Sequence, residues 1–321
     1  MPQVSVIIPV FNSMATLKAC MESVLAARNH FGDAEVILID HGSMDGSYEF
    51  LCTNYGMVAK IYQRKGGTIA SLRNHAARQA EGEYFCFVDS DCVLCKRHLE
   101  NAMEVFARLG PDATGCKYDL PPLPHWVEET WAGLHQRTQD GYVNYLNAGN
   151  FVIKGEVFKQ VGGFDERLPT DEDADLGGRM LATGFKIFEA HNVSAIHLGN
   201  PKTLLAFFKK ELWHGSGMFR MHGRPYVDKV FLATIFHFCL VILGMILAIA
   251  LKISLLWRII VLLLGLLFVP SVTLSFRFVK SRKVFRPVRA LLLYFVFFSS
   301  KGAAMIGELT RAFRAALARE R

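Results

Sequence analysis

Two carboxylates separated by one residue follow a short apolar run in the first third of the chain. Asp89-Ser90-Asp91 comes directly after residues 84–88, a run that predicts a buried strand and is too short to cross a membrane. Carboxylate oxygens are ligands that Mg²⁺ and Mn²⁺ prefer, and both ions suit substrates that carry phosphate. In an open α/β sheet, ligands bind at the carboxyl ends of the strands. The spacing therefore predicts a divalent-metal and phosphate site where this strand ends.

Other residues are expected at the same edge of the sheet. Asp40 ends a second apolar run, and Pro9 and Phe11 lie at the end of the first, where Phe11 offers an aromatic ring. Gly67 precedes a predicted helix that carries Arg73. A bare glycine permits close backbone approach to a ligand, and an arginine pairs well with phosphate. Together, these residues indicate a site for a nucleotide diphosphate.

A second group of acids lies farther along the chain. Residues 170–176 contain four acids, Glu172 and Asp173 among them, and follow a tight turn at Gly163. Crowded carboxylates raise one another's pKa, which suits a general base, although acids are also common at helix N-termini for structural reasons. His197 ends another apolar run and is either a metal ligand or a structural histidine.

The elements that must position these residues follow from the apolar pattern. Short apolar runs at 4–10, 35–39, 59–63 and 84–88 predict strands, and helical spacing at 16–27, 47–54 and 69–80 predicts the helices between them. This alternation predicts an α/β fold with a mostly parallel sheet flanked by helices. After a helix at 98–109, the pattern becomes mixed and residues 111–124 are predicted to be irregular. We therefore expect a catalytic domain over 1–229, with a nucleotide-binding half over about 1–110 and an acceptor half over about 111–229.

The charge of the chain is distributed unevenly. Residues 1–229 hold 23 Lys and Arg against 27 Asp and Glu, whereas residues 230–321 hold 13 against 2, so the net charge of +7 divides into −4 and +11. The basic third is also the most apolar, which favours contact with membrane lipid over nucleic acid. Two runs of about twenty apolar residues predict two transmembrane helices within 230–278.

Charge placement predicts the topology. Residues 277–289 carry six Lys and Arg, which the positive-inside rule places in the cytoplasm. With no signal-peptide pattern at the N-terminus, we expect a multi-pass protein of the inner (plasma) membrane with a cytoplasmic catalytic domain. A third apolar stretch at 290–300 is short, and a span there would place four arginines of the tail outside. For 279–321 we therefore favour a basic loop and an interfacial helix, with a short third span as the alternative.

The ordered set of motifs resembles glycosyltransferase family 2, inverting sugar transferases of the GT-A fold, and in particular its membrane-anchored bacterial members. The resemblance covers roughly residues 3–200. It is carried by Val4 to Asn12, Asp40 to Ser47, Gly66-Gly67 with Arg73-Asn74, Glu81 to Asp91, Gly162 to Glu166, Glu172 to Leu176 and His197.

The resemblance implies a role for each matching residue. On the donor side, Pro9, Phe11 and Asp40 would line the base pocket, and Asp89 would contact the ribose or the sugar. Asp91 and His197 would bind Mn²⁺ or Mg²⁺ with the diphosphate, while Gly67 and Arg73 would face the donor. Asp173 would be the base that deprotonates the acceptor hydroxyl, with Gly163, Glu172 and Trp213 on the acceptor side.

The chain departs from the family pattern at two places. His41 stands where the family commonly has a second Asp that helps to read the base, so a UDP-linked and a GDP-linked donor both stay open. The Gln-x-x-Arg-Trp motif of processive synthases is missing, which favours transfer of single sugars. The basic-aromatic stretch around Trp213, which includes Arg220 and Arg224, fits either a lipid-linked phosphate or ordinary headgroups.

The leading hypothesis is a membrane-anchored, metal-dependent glycosyltransferase of cell-envelope polysaccharide biosynthesis. It would move one sugar from a nucleotide-sugar donor to a lipid-linked or glycan acceptor, without a nucleic-acid partner. Two alternatives remain. The first is a polyprenyl-phosphate sugar synthase, which has no hydroxyl to deprotonate and would depend less on Asp173. The second is a non-catalytic membrane scaffold that binds nucleotide-sugar.

Overall fold

The computed structural model describes residues 1–135, 139–218, 229–281 and 286–319. The chain forms two compact units, one of residues 1–123 and 137–200 and the other of residues 124–136 and 201–321. The division at residue 200 lies before the predicted boundary at residue 229, because a helix that follows residue 200 packs with the C-terminal helices. The second unit also includes a short helix from the middle of the predicted catalytic domain.

The first unit is built on one large sheet and one small sheet. The strands are β1 Val4–Val10, β2 Ala34–Asp40, β3 Lys60–Gln63, β4 Tyr84–Val88, β5 Cys92–Leu94, β6 Ala113–Gly115, β7 Gly141–Val143, β8 Asn150–Lys154, β9 Ile187–Glu189 and β10 Ala195–His197. Eight of them form a sheet in the order β3-β2-β1-β4-β8-β6-β9-β7, while β5 and β10 pair in an antiparallel ribbon. Strands β3, β2, β1 and β4 are parallel, so their carboxyl ends share one edge.

Helices cover both faces of the large sheet. They are α1 Met14–Phe31, α2 Ser47–Tyr55, α3 Ile69–Ala77, α4 His98–Leu109, α6 Gly155–Gln160 and α7 Glu172–Ala182. Alternate residues of the central strands enter opposite cores: Ile8 packs with one cluster that includes Leu17, and Ile7 packs with another that includes Phe87. Burial on both faces explains why these strands are continuously apolar. The fold class is therefore the predicted one.

Some elements were not predicted from the sequence pattern, among them the 15-residue helix Leu204–Met218. Strands β5, β6 and β7 have three residues each, too few to show a period of two, and β6 lies inside the segment predicted to be irregular. Helix α5, Trp126–His135, follows a proline-rich stretch and was not predicted either. The remaining predicted strands and helices are present, with ends that differ by a few residues.

The second unit consists of helices. They are α5, α8 Leu204–Met218, α9 Lys229–Ala250, α10 Leu255–Ser281 and α11 Pro287–Arg319. The Trp131 ring of α5 packs 4.8 Å from Phe207 of α8 and 5.2 Å from Phe297 of α11, measured between ring centroids. A buried ion pair joins Glu211 of α8 to Lys301 of α11 at 3.1 Å. This packing places α5 and α8 with the C-terminal helices.

In the part of the chain that the structure describes, three helices are long and apolar enough to cross a membrane, namely Lys229–Ala250, Leu255–Val279 and Pro287–Arg311. The first two coincide with the predicted pair. The third is longer than its apolar stretch suggested, and 44% of its most apolar window is buried within the protein, against 17% for each of the others. The length of this third helix therefore permits a third span, whereas its burial within the protein fits the predicted interfacial helix. Residues 282–285 of the basic segment, with Arg282 and Lys283, lie outside the described residues.

Candidate active site

The acid pair lies in a tight turn between β4 and β5. The turn is closed by a hydrogen bond from the Cys92 amide to the Asp89 carbonyl at 2.9 Å. The Ser90 hydroxyl lies 2.7 Å from that of Ser13, which follows β1. Because β1 and β4 are adjacent parallel strands, this contact ties the acid turn to the loop beside it. The side chains of Asp89 and Asp91 each stay a little over a quarter exposed.

Asp91 lies beside His197, as predicted, although 105 residues separate them. Strand β10 pairs with β5 so that His197 stands opposite Cys92, and the His197 Nε2 atom is 3.5 Å from Asp91 Oδ1. Ligand atoms of Asp91, Cys92 and His197 lie within 4.8 Å of one another, close enough to bind one metal ion. Burial and the two aspartates raise the pKa of the Cys92 thiol well above its ordinary value. The carboxylate and the imidazole are therefore the better donors in this group.

Arg73 connects Asp89 to the second group of acids. The guanidinium is buried and lies 2.5 Å from Asp89 and 2.5 Å from Glu172. Burial alone would lower the pKa of Arg73, but the two carboxylates outweigh it and raise the pKa. The guanidinium also lies 5.6 Å from the centre of the Phe164 ring. Arg73 thus holds two carboxylates in this structure, and contact with the donor diphosphate stays a prediction.

Asp173 lies beside Glu172 at the start of α7. Burial, together with the charges of Glu172 and Asp171, raises the pKa of Asp173 to about 7, although a hydrogen bond from the Ala174 amide acts in the opposite direction. A carboxylate with a pKa near neutrality can accept a proton at physiological pH and release it again. This property is the one that a general base requires.

Tyr118 is a site residue that the sequence analysis missed. Its ring lies 4.6 Å from that of His197, and its hydroxyl donates to Asp89 Oδ2 at 3.4 Å. Burial and the charge of Asp89 raise the pKa of this phenol well above 10. Tyr118 therefore contacts both the donor-side aspartate and the candidate metal ligand. It lies in the segment predicted to be irregular, where no motif marked it.

Gly149 permits the close approach of these groups. A Cβ atom at this position would collide with Asp89 Oδ2 and with the Tyr118 hydroxyl. We expect Gly149→Ala to displace Asp89 and to lower kcat/KM for the donor by at least about tenfold, since a shift of about 1 Å at reacting groups can cost more than that. Steady-state kinetics measures the effect.

Gly178→Ala is the matched control for this prediction. Gly178 lies on the exposed side of α7, and nothing stands within 4 Å of a Cβ atom built there. Its activity should stay at the wild-type level. Equal activity of the two glycine variants would contradict the assigned role of Gly149.

The predicted base pocket is formed by the loops after β1 and β2. The buried Asp40 carboxylate accepts hydrogen bonds from the amides of Gly42 and Ser43 at 2.8 and 3.0 Å. Phe11 is half exposed, and its ring packs edge-on against His41 with centroids 5.3 Å apart. Pro9 lies within β1, opposite Ile39 of β2. These residues therefore lie at one edge of the sheet, as predicted.

The two predicted glycines occupy turns with a positive φ, which glycine adopts readily. Gly67 has φ +97°, and a side chain there would collide with the Ser71 hydroxyl at the start of α3. Gly163 has φ +67° and lies against Asn74, whose side-chain amide exchanges two hydrogen bonds with the Phe164 backbone at 2.8 and 2.9 Å. Asn74 therefore fixes the turn that leads to the acidic helix.

Trp213 lies in the second unit, on α8. Its side chain is 51% exposed, and its ring packs 4.9 Å from that of His214. Lys209 and Lys210 are on the same helix, whereas Arg220 and Arg224 lie outside the described residues. A role of Trp213 on the acceptor side stays a prediction.

Comparisons with known proteins agree with this geometry. A mannosyltransferase from Pyrobaculum calidifontis, PcManGT, solved with GDP-Man and Mn²⁺, has a similar fold with a TM-score of 0.62 and 15% identity, covering 96% of this chain and 87% of its own. Glycosyltransferase AglE of Haloferax volcanii is 25% identical over 250 residues, which cover 76% of this chain and 81% of AglE. The chain thus has the GT-A fold and is a glycosyltransferase.

The first half of the chain matches a family model. Residues 5–156 match the model of glycosyl transferase family 2. The minor teichoic acid biosynthesis protein GgaB of Bacillus subtilis is 29% identical over 188 residues, which cover 54% of this chain but only 20% of GgaB. Residues 5–156 therefore carry a glycosyl transferase family 2 domain.

Proposed function

We propose that the chain is a metal-dependent, inverting glycosyltransferase that moves a single sugar from a nucleotide-sugar donor to a lipid-linked or glycan acceptor. The observation that carries this proposal is the connected set of Asp89, Arg73 and Glu172, with Asp173 beside it. This set joins a donor-side acid to a carboxylate whose pKa of about 7 suits a base. A binding scaffold has no need of a base, so the arrangement favours an enzyme.

The residues near Asp91 fit a divalent cation. Asp91 supplies carboxylate oxygen and His197 supplies imidazole nitrogen, a donor set that suits Mn²⁺. A side chain at Gly199 would collide with Asp91 Oδ2, so this position leaves space beside the carboxylate. A bound cation would supply charge neutralisation for the departing diphosphate. Mn²⁺ in the PcManGT complex supports the same assignment.

Asp173 acts on the acceptor in this proposal. The ionised carboxylate takes the proton of the acceptor hydroxyl while the hydroxyl oxygen forms a bond to the anomeric carbon of the sugar. The bond from that carbon to the diphosphate oxygen breaks with its electron pair, and the nucleoside diphosphate leaves. Attack from the face opposite the leaving group inverts the anomeric centre. Glu172 and Arg73 hold the start of α7 in place while this occurs.

The membrane supplies the acceptor in this proposal. Among the described residues, three helices are long and apolar enough to cross a membrane, so a lipid-linked acceptor would share the bilayer with the enzyme. The basic residues between α10 and α11 favour a cytoplasmic catalytic unit in the inner membrane. GgaB, named for minor teichoic acid biosynthesis, supports a cell-envelope glycan as the product.

Metal dependence can be tested at His197. We expect His197→Ala to raise the Mn²⁺ concentration that gives half-maximal release of nucleoside diphosphate by at least about tenfold, because changes near a metal typically cost 10–100-fold in affinity. His98→Ala is the matched control, since His98 is also buried in this unit but bonds to the Ser194 carbonyl through Nδ1. An unchanged Mn²⁺ curve for His197→Ala would contradict its role as a ligand.

A further inference from the structure

A buried ion pair holds helix α8 against helix α11. The Glu211 carboxylate of α8 lies 3.1 Å from the Lys301 ammonium of α11, and both side chains are buried. One turn farther along α8, a Cβ atom on Gly215 would lie 2.6 Å from the Ala304 Cβ atom, so the two backbones approach closely there. The two helices are therefore joined by charge at one turn and by close packing at the next.

The contact extends along the middle of α11. Earlier on α8, Phe207 packs in one cluster with Leu293. Contacts thus advance from residue 207 to 215 on α8 as they advance from residue 293 to 304 on α11, so the helices run side by side in the same direction. Residues 293–304 include the centre of Pro287–Arg311, the stretch that is long and apolar enough to cross a membrane. Wherever the centre of α11 lies in the bilayer, α8 must lie beside it.

The charges of α8 exclude it from the hydrocarbon core. The helix carries Lys209 and Lys210, and Lys209 is exposed. Glu211 is the only acid in the sequence of α8, and its partner is Lys301. A lysine at the centre of a bilayer is strongly unfavourable, whereas lysines suit the headgroup region. The half-exposed Trp213 on the same helix is also a residue type that is enriched at the interface, so α8 belongs there.

The contacts of α11 with α9 agree with this placement. The Phe298 ring packs 5.6 Å from the His237 ring, and a Cβ atom on Gly302 would lie 3.3 Å from the Phe238 ring. Positions one turn apart on α11 thus face consecutive residues of α9, a pattern of helices that cross steeply rather than run alongside each other. Since α9 is apolar enough to span the membrane, a helix that crosses it steeply runs along the membrane.

We propose that α11 lies in the membrane interface in one layer with α8, so that among the described helices only α9 and α10 cross the bilayer. Residue 319 then lies on the same side of the membrane as residue 204. The exposed residues of α11 between 290 and 309 are all apolar and form the face that contacts lipid, namely Leu292, Ala303, Ile306 and Leu309. Lys209 of α8 meets anionic headgroups. This arrangement does not depend on the transferase function proposed above.

Reporter fusions to the full chain in a bacterial host test the arrangement. Alkaline phosphatase needs disulfide bonds and is active only outside the cytoplasm, whereas green fluorescent protein fluoresces only inside it. We expect phosphatase activity when the enzyme is inserted after Lys252, between α9 and α10, and its loss when the enzyme is fused after Arg321. Green fluorescent protein should give the opposite result at each position. The same readout at both positions would show that α11 crosses the membrane and would overturn the proposal.

Charge reversal in the full chain tests the ion pair. In Lys301→Glu, two carboxylates meet in a buried site, so the amides of α8 should exchange hydrogen at least about tenfold faster in a non-ionic detergent. Adding Glu211→Lys should restore slow exchange, since the pair is re-formed with its charges exchanged. Lys209→Glu, at the exposed lysine of the same helix, is the matched control and should leave exchange unchanged. Exchange that Lys301→Glu does not change would overturn the role of the pair in holding α8 on α11.

Discussion

Asp173→Asn is expected to lower the rate of sugar transfer by at least about a hundredfold, because an amide cannot take the acceptor proton and general base catalysis contributes about 10²–10⁴-fold. The initial rate of nucleoside diphosphate release, measured with saturating donor and Mn²⁺, checks this result. Asp33→Asn, a substitution at an exposed aspartate between α1 and β2, should retain the wild-type rate. Activity of Asp173→Asn within a few-fold of wild type would favour the polyprenyl-phosphate synthase, which has no hydroxyl to deprotonate.

The pH dependence gives this prediction a second readout. Since the base acts in its ionised form and has a pKa of about 7, kcat of the wild type should rise with pH and level off above about pH 7. Asp173→Asn should lose this dependence. A wild-type profile that is already flat from pH 5 upwards would contradict the assignment of Asp173.

Stability should change in the opposite direction to activity. The pKa of Asp173 is raised on folding from 3.8 to about 7, so the folded state binds the extra proton. This contribution to stability is fully present below pH 3.8 and is lost as the pH rises through about 7. Asp173→Asn should therefore melt at a higher temperature than wild type at pH 8, and the difference should vanish towards pH 4. Such a result would show that lost activity is not lost folding.

Arg73→Met is expected to destabilise the first unit by roughly 3–5 kcal/mol, the usual cost of removing one partner from a buried ion pair. Arg73 is 3% exposed, and its loss leaves the buried Glu172 without the counter-charge at 2.5 Å. Hydrogen exchange of the core amides of β1 and β4 in the full chain measures the change. Transfer activity should fall as well, because Asp89 and the start of α7 lose their common partner.

Arg78→Met provides the matched control one turn farther along the chain. Its side chain is 57% exposed and lies 3.7 Å from Glu166, and exposed pairs of this kind contribute only about 0–1 kcal/mol. Adding Glu172→Gln to Arg73→Met should recover part of the lost stability, since the neutral amide needs no counter-charge. A cost for Arg73→Met no larger than that for Arg78→Met would contradict the described role of Arg73.

The sequence predicted those parts of the site that lie at strand ends. Asp40 and Asp89 follow long apolar runs, and the parallel order of the strands brings them to one edge. His197 was placed near Asp91 only through the order of motifs in the family. The structure supplies the physical reason, which is the pairing of β10 with β5.

Other parts could not be read from the sequence because they depend on contacts between distant residues. Nothing in the sequence around Arg73 indicates that its partners are two carboxylates, one of which is 99 residues away. Tyr118 lies between three-residue strands and a proline-rich stretch, where the sequence shows neither a periodic pattern of apolar residues nor a motif. Helix α5 packs with the C-terminal helices rather than with its sequence neighbours, so composition alone could not place the boundary between the units.

The most direct test of the account measures transfer itself. Purified full-length protein is incubated with Mn²⁺, membrane lipid extract and a GDP- or UDP-linked sugar labelled on the sugar, and released diphosphate and lipid-extractable label are counted together. Equal amounts of both products are expected from one donor, their formation should require Mn²⁺, and both should be lost in Asp173→Asn. No release from any donor, or release that neither the removal of Mn²⁺ nor Asp173→Asn changes, would contradict the proposed transferase function.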